Sequence, residues 1–174
     1  AFSALVAIYS FRALEAEHYR PYRNWIASAV NLFCWSTVLV LAARDGFSLI
    51  LALESMTLSF GYLVLYKHIL SQDLPDKFDT EHQYRYRIAP QLYLIISHTS
   101  TVFLVLAVLF LSIHAEGTGY TAWIAHSSDL KDAPLTAVFL LALIGLGIRA
   151  GLTPAHIWVS LVHPSSPTTT HALS

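Results

Sequence analysis

Three side chains in a largely apolar chain have the types and settings to carry or steer protons: Glu54, His98 and Arg149. Glu54 lies early in the stretch Leu-Ala-Leu-Glu-Ser-Met-Thr-Leu-Ser-Phe-Gly-Tyr-Leu. A charged side chain at the centre of a membrane helix costs roughly 2.5–3.5 kcal/mol on insertion scales, and such residues pair or line pathways. Burial favours the protonated carboxyl and an opposite charge favours the ionised one, so a moving partner can set the state of Glu54. That is what a proton relay requires. The structural alternative is a protonated glutamic acid bonded to a neighbouring helix. His98, in Ile-Ile-Ser-His-Thr-Ser-Thr-Val-Phe-Leu, is the one histidine well inside an apolar run. Histidine changes charge near neutral pH, which suits a shuttle, whereas a neutral imidazole donating to another helix is equally consistent with its place. Arg149 stands between glycines in Gly-Leu-Gly-Ile-Arg-Ala-Gly-Leu-Thr-Pro. It either marks a polar path inside the membrane or lies near a helix end and snorkels to the headgroups.

Positioning these groups calls for membrane helices. Of 174 residues 55% are hydrophobic and 12% charged, about half the charged share of soluble domains. The expected fold is all-α, a polytopic transmembrane helix bundle forming a single domain over 1–174. Hydropathy and turn signals predict helices at about 1–12, 25–43, 47–66, 91–113 and 134–152. A broken or re-entrant segment is expected over 153–174, with the break near 149–154, because Pro154 removes a backbone donor and crowds the preceding turn. Trp25 suits an interface, Arg44-Asp45-Gly46 a tight turn, and 67–90 a long charged loop. Residues 1–11 are apolar but too short to span alone. The chain is expected to be an internal piece of a longer protein.

Lys and Arg are unevenly shared between alternate loops. Arg12, Arg20, Arg23, Lys67, Lys77, Arg85 and Arg87 fall on one side, and Arg44 and Lys131 on the other. The positive-inside rule places 12–24 and 67–90 in the cytoplasm. The single Cys34 can form no internal disulfide and reads as a packing residue. No CxxC is present, so neither a zinc nor an iron–sulfur site of the usual spacing is expected, and no haem, since the other histidines read as interface or loop positions. No cofactor is expected in this chain, and no nucleic acid as partner.

The residue order at 145–174 adds to this. Gly-Ile-Arg-Ala-Gly-Leu-Thr-Pro-Ala-His-Ile-Trp, then Val-His-Pro-Ser-Ser-Pro and His-Ala-Leu-Ser, resembles a signature of the proton-translocating antiporter-like membrane subunits. These occur in respiratory complex I, in membrane-bound nickel–iron hydrogenases and in Mrp-type cation/proton antiporters. Glu54, Met56, Leu58 and Ser59 are similar to the family's glutamate segment, with Ala52-Leu53 in place of the usual tryptophan. The resemblance implies that Glu54 is the family's intramembrane glutamate, paired with the basic residue of a broken helix. It implies that His156 lines that break and that His163 is the histidine of the His-Pro pair. Arg149 departs from the pattern, standing where the family has lysine. Lysine gives up its proton when desolvated and arginine does not. Val159-Ser160 likewise replaces Leu-Pro, and His171 stands where serine is usual.

The context of His98 is similar to the hydrogenase-type subunits, so the hydrogenase-4 and formate hydrogenlyase type is favoured. The implied role is a membrane subunit of a redox-driven proton-translocating complex, in a bacterial or archaeal cell membrane. Its partners would be other membrane subunits, a peripheral redox module, the bilayer, and protons or other cations. The rivals are an Mrp-like antiporter or ion carrier of the same fold, and a degenerate scaffold that does not pump, a reading to which Arg149 lends weight.

Overall fold

The computed structural model describes residues 23–73, 80–126, 132–152 and positions 156, 159 and 162. Along the described residues run α1 (Arg23–Ala42), α2 (Gly46–Asp73), α3 (Thr80–His114), the short α4 (Tyr120–Ala125) and α5 (Asp132–Ala150). No strand occurs among the described residues, and extended pairing is limited to one bridge between Asp45 and Gly119. The all-α expectation holds.

Asn24–Ala42, Gly46–Tyr66 and Gln83–His114 are long and apolar enough to cross a membrane, and Pro134–Ala150 is a shorter apolar helix. The distribution of side chains suits lipid rather than water. Trp35, Leu41, Ile95 and Ile113 point outward, while Ser36, Thr57, Ser59, Ser97, Ser100 and Thr101 are buried between helices. Lipid tails are as apolar as leucine, so association in a membrane relies on close packing and hydrogen bonds, which small residues and hydroxyls supply. The protein is a membrane protein on this evidence.

Consecutive helices pack side by side, α1 on α2 and α2 on α3, and α5 then packs on α3. Ile26, Ala29 and Val30 of α1 close on Leu63 and Tyr66 of α2. A second cluster joins Phe33, Phe60, Val64, Ala89, Tyr93 and Val162, with the Phe60 and Tyr93 ring centroids 5.0 Å apart. Ser36 Oγ donates to its own Leu32 carbonyl at 2.7 Å and lies within hydrogen-bond distance of Ser55 Oγ across the interface, at 2.9 Å. Hydroxyls bonded to the preceding turn need no water, which is how a polar side chain is tolerated in a dry interface.

Helix ends differ from the expected ones in a consistent way. α2 continues past 66 to Asp73, and α3 starts at Thr80 and runs through Pro90, so 67–73 and 80–90 are helical rather than loop. Hydropathy marks where lipid stops, not where a helix stops. Lys67 to Asp73 contains neither proline nor glycine and nothing there ends the hydrogen-bond ladder. Pro90 lies inside α3, beside Ala89 and Tyr93 of the second cluster, and membrane helices tolerate such a proline. The interval between the helices predicted at 91–113 and 134–152 holds α4. The expected helix at 1–12, and most of 153–174, lie outside the described residues.

The break after Arg149 has its own cause. α5 ends at Ala150, and Gly151 takes a φ of 71°, the left-handed conformation that glycine adopts without penalty. Gly151 N–H donates to Ile148 O at 3.2 Å and Leu152 N–H to Gly147 O at 2.9 Å. These are the two bonds of a Schellman ending. Gly151 stops the helix, three residues before the proline expected to do so.

Candidate functional site

Three of the five sequence-derived residues meet at one place. Glu54 projects from α2, His98 from α3 and Arg149 from the last turn of α5. Their level is set by a close approach of α5 to α3. Ser100 Oγ donates to Gly145 O at 2.7 Å, and a Cβ at Gly145 would lie 2.8 Å from Leu104 Cγ and 3.1 Å from Ser100 O. Only glycine lets the backbones come this near. Arg149 follows Gly145 by four residues, and side chains four apart share a helix face. Contact at Gly145 therefore brings Arg149 to the level of Thr101. At 1.5 Å per residue, Thr101 lies about 20 Å along α3 from His114, well inside a hydrocarbon core of about 30 Å.

At that depth Arg149 turns inward. Its Nη2 donates to Leu53 O at 2.8 Å and to Thr57 Oγ1, and its Nη1 reaches Thr101 Oγ1 at 3.4 Å. The snorkelling alternative is not the one adopted, because acceptors on α2 and α3 satisfy the guanidinium where it stands. Glu54 Oε2 lies 3.1 Å from His98 Nδ1. Its other oxygen accepts from Thr101 Oγ1. The Glu54 side chain is 24% exposed and His98 50%, so the imidazole forms the open side of the cluster. Tyr93 completes the surroundings, with Ser97 and Thr57 as hydrogen-bonding neighbours and the charges of Arg149 and Glu54 nearby.

Between Glu54 and Arg149, whose pairing the resemblance implied, stands the Thr101 hydroxyl. Glu54 pairs with His98, and the arginine approaches the carboxylate through Thr101. His156 is exposed, its carbonyl accepting from Val159 N–H at 3.0 Å, and among the described residues no hydrogen bond or ion pair joins its side chain to the cluster. His163 lies outside the described residues. Thr57, Thr101, Tyr93 and the Leu53 carbonyl were missed by sequence reasoning. The signal for two of them was there: Ser97, His98, Ser100 and Thr101 form a polar run inside an apolar helix, with His98 and Thr101 three apart. Among the described residues no group of three histidine, cysteine, aspartate or glutamate side chains could hold a metal.

A second polar arrangement joins the ends of α1, α2, α3 and α4. Gly46 N–H donates to Thr118 O at 2.9 Å and Tyr120 N–H to Arg44 O at 3.2 Å. Trp123 Nε1 donates to Gly117 O at 2.8 Å, and its ring lies against Gly46. Asp45 caps α2, its carboxylate accepting from Ser48 N–H at 2.8 Å and Ser48 Oγ at 2.9 Å. The Ser48 N–H, then the Ser48 hydroxyl, hold the Asp45 carboxyl below the usual carboxylate range. Burial, then the charge of Asp45, push the Tyr120 phenol up. This end of the bundle is a structural clasp.

No protein-family model matches the chain. It is 29% identical over 175 residues to hydrogenase-4 component B of Escherichia coli, covering 98% of this chain and 23% of that protein. It is 27% identical to NADH-quinone oxidoreductase subunit N of Desulforamulus reducens, covering 94% of this chain and 32% of that one. An uncharacterised protein of Mycobacterium tuberculosis matches at 28% over 84% of this chain and 20% of its own length. The chain spans about a fifth to a third of the curated relatives it matches. Hydrogenase and NADH-quinone oxidoreductase subunits are the relatives that the residue pattern implied, and the chain is similar to both over nearly all of its length.

Proposed function

We propose that this chain is the proton-handling part of a membrane subunit in a redox-driven proton-translocating complex, of hydrogenase or NADH:quinone oxidoreductase type. The observation that carries the reading is the contact of Glu54 with His98 at 3.1 Å, inside a membrane helix and beside a cation held by α5. Oxidation and reduction would belong to partner subunits, and the chain would lie in a cell membrane with its helices crossing repeatedly.

The chemistry follows from the pair. With Glu54 ionised, His98 Nδ1–H donates to Oε2. For transfer His98 must be the doubly protonated imidazolium: its Nδ1–H bond breaks, an Oε2–H bond forms, and a neutral imidazole remains with its proton on Nε2 and a lone pair on Nδ1. The half-exposed imidazole is the side from which the next proton arrives. Arg149 keeps its proton throughout, because a guanidinium does not give one up. Its part is to stabilise the carboxylate, and any shift of α5 against α3 changes how strongly it does so. The hydrogenase and NADH-quinone oxidoreductase relatives support the setting, and the contact of His98 with Glu54 supports the route.

The test is proton flux through the assembled complex with Glu54→Gln. The amide keeps the volume and loses the titratable group, so assembly should persist while flux falls about a hundredfold or more, the general range for removing a proton-transfer group. Flux at the unmutated rate would remove Glu54 from the path. A second reading, a scaffold that does not pump, draws on one observation: Arg149 is tied to a backbone carbonyl and two hydroxyls. It requires that the unmutated complex itself show no flux.

A further inference from the structure

Thr101 is where the two charged residues approach one another. The recorded ion pair of Glu54 is with His98, and the donors of Arg149 go to Leu53, Thr57 and Thr101. Thr101 alone appears on both sides: its Oγ1 donates to Glu54 Oε1 and accepts from Arg149 Nη1. The neighbouring hydroxyls are engaged elsewhere. Ser100 Oγ is committed to Gly145 O at 2.7 Å, and Thr57 Oγ1 to Leu53 O at 2.9 Å.

A hydroxyl carries one proton and two acceptor sites. Thr101 is buried, and its proton has a second acceptor close by, Ser97 O on the preceding turn at 3.1 Å. We propose that Thr101 is a positioning residue that couples the Glu54 carboxyl to the Arg149 cation by turning its hydroxyl between these two acceptors. When Glu54 is ionised, the Thr101 proton points to Oε1, and the carboxylate is linked to the cation through one polarised hydroxyl. When Glu54 is protonated on Oε2, Oε1 becomes the oxygen of a neutral carbonyl and a weaker acceptor, and the Thr101 proton turns to Ser97 O. The turn breaks no covalent bond. Arg149 donates to the same oxygen in both settings, so the charge of α5 is communicated to α2 without the guanidinium letting go of Leu53 and Thr57.

The titratable and charged groups around this hydroxyl are Glu54 on α2, Tyr93 and His98 on α3, and Arg149 on α5. The coupling rests on the reading of Glu54 as a proton carrier. Hydroxyl turning is also compatible with the packing, since Thr101 already makes its bond to Ser97 O within its own helix. A valine there would keep the shape and lose both the donor and the acceptor.

The experiment is infrared difference titration of the Glu54 carboxyl in the full-length subunit within its assembled complex, with proton flux measured on the same vesicles. Thr101→Val should move the titration midpoint by about half a pH unit or more and lower flux about tenfold. Thr101→Ser, which keeps the hydroxyl, should restore both. In the Thr101→Val background, Arg149→Ala should move the midpoint less than it does alone, because the link is already cut. A midpoint unchanged in Thr101→Val while Arg149→Ala still moves it would overturn the coupling and show that the arginine acts on Glu54 directly. Unchanged flux in Glu54→Gln would instead overturn the proton-carrier reading, and the infrared comparison would still decide whether Thr101 links the two charges.

Discussion

Arg149 shows how much one side chain depends on geometry. Its forked guanidinium reaches Leu53 O and Thr57 Oγ1 with one nitrogen and Thr101 Oγ1 with the other. A lysine ammonium is a single point and cannot serve both helices from one place. Arg149→Lys should therefore weaken the contact of α5 with α2, and Thr57→Val should remove part of the same interaction. A double-mutant cycle between them, read from unfolding of the full-length subunit in detergent, should give a coupling of about 1 kcal/mol or more, as residues in one hydrogen-bonded network do. Coupling near zero would mean that Thr57 does not hold the arginine. The lysine that the family pattern carries at this position thus exchanges a fixed anchor for a group that can titrate.

Helices set the depth of these side chains, and two local features control the helices. Gly145 allows α5 to approach α3 so closely that an added Cβ would press on Leu104 and on the backbone oxygen of Ser100. Gly145→Ala should cost about 1–3 kcal/mol, as overpacking does, and lower proton flux by moving Arg149 away from Thr101. Flux unchanged by this substitution would separate the α3–α5 contact from function. At the other end, Asp45 caps α2, and its carboxyl is held below the usual range by Ser48. A carboxyl with a lowered folded value adds stability that is present above its unfolded value, about 3.9 for aspartate. That contribution is lost as pH falls through the folded value. Amide protection at Ser48 and Leu49 should follow that course in acid and lose its pH dependence in Asp45→Asn, which keeps an acceptor for the cap. Pro90 and Gly151 mark the limits of reading punctuation from sequence. The proline is passed through, and the glycine makes the stop.

At the scale of the whole molecule, the described residues place hydroxyls between helices beside the apolar clusters, while many leucines, isoleucines and tryptophans face outward. The orientation proposed from Lys and Arg is testable at described positions. Tyr84 is 65% exposed at the same end as Arg85 and Arg87, and Thr118 is exposed at the end that carries Arg44. In a Cys34→Ala background, Thr118→Cys should react with an impermeant reagent added to intact cells, and Tyr84→Cys only after the membrane is opened. The reverse pattern would invert the topology. The described helices also leave His98 half exposed at membrane depth. Because the chain spans about a fifth to a third of its relatives, the proton path is proposed for the complex rather than for this stretch alone.

Composition and residue order by themselves determined that this is an all-helical membrane chain and roughly where its apolar spans lie, and they singled out Glu54, His98, Arg149, His156 and His163 as the groups to test. Those properties are legible because lipid selects apolar runs of a set length and makes each intramembrane charge expensive. Tertiary structure alone decided which groups touch. Glu54 and Arg149 are far apart in sequence, and the identity of the residue between them depends on how closely α5 approaches α3 at Gly145. That distance is set by side-chain packing across two helices, which a one-dimensional pattern does not record. Thr101 was therefore invisible as a bridge: a threonine in a membrane helix most often bonds its own preceding turn, and this one does so while also facing both charges.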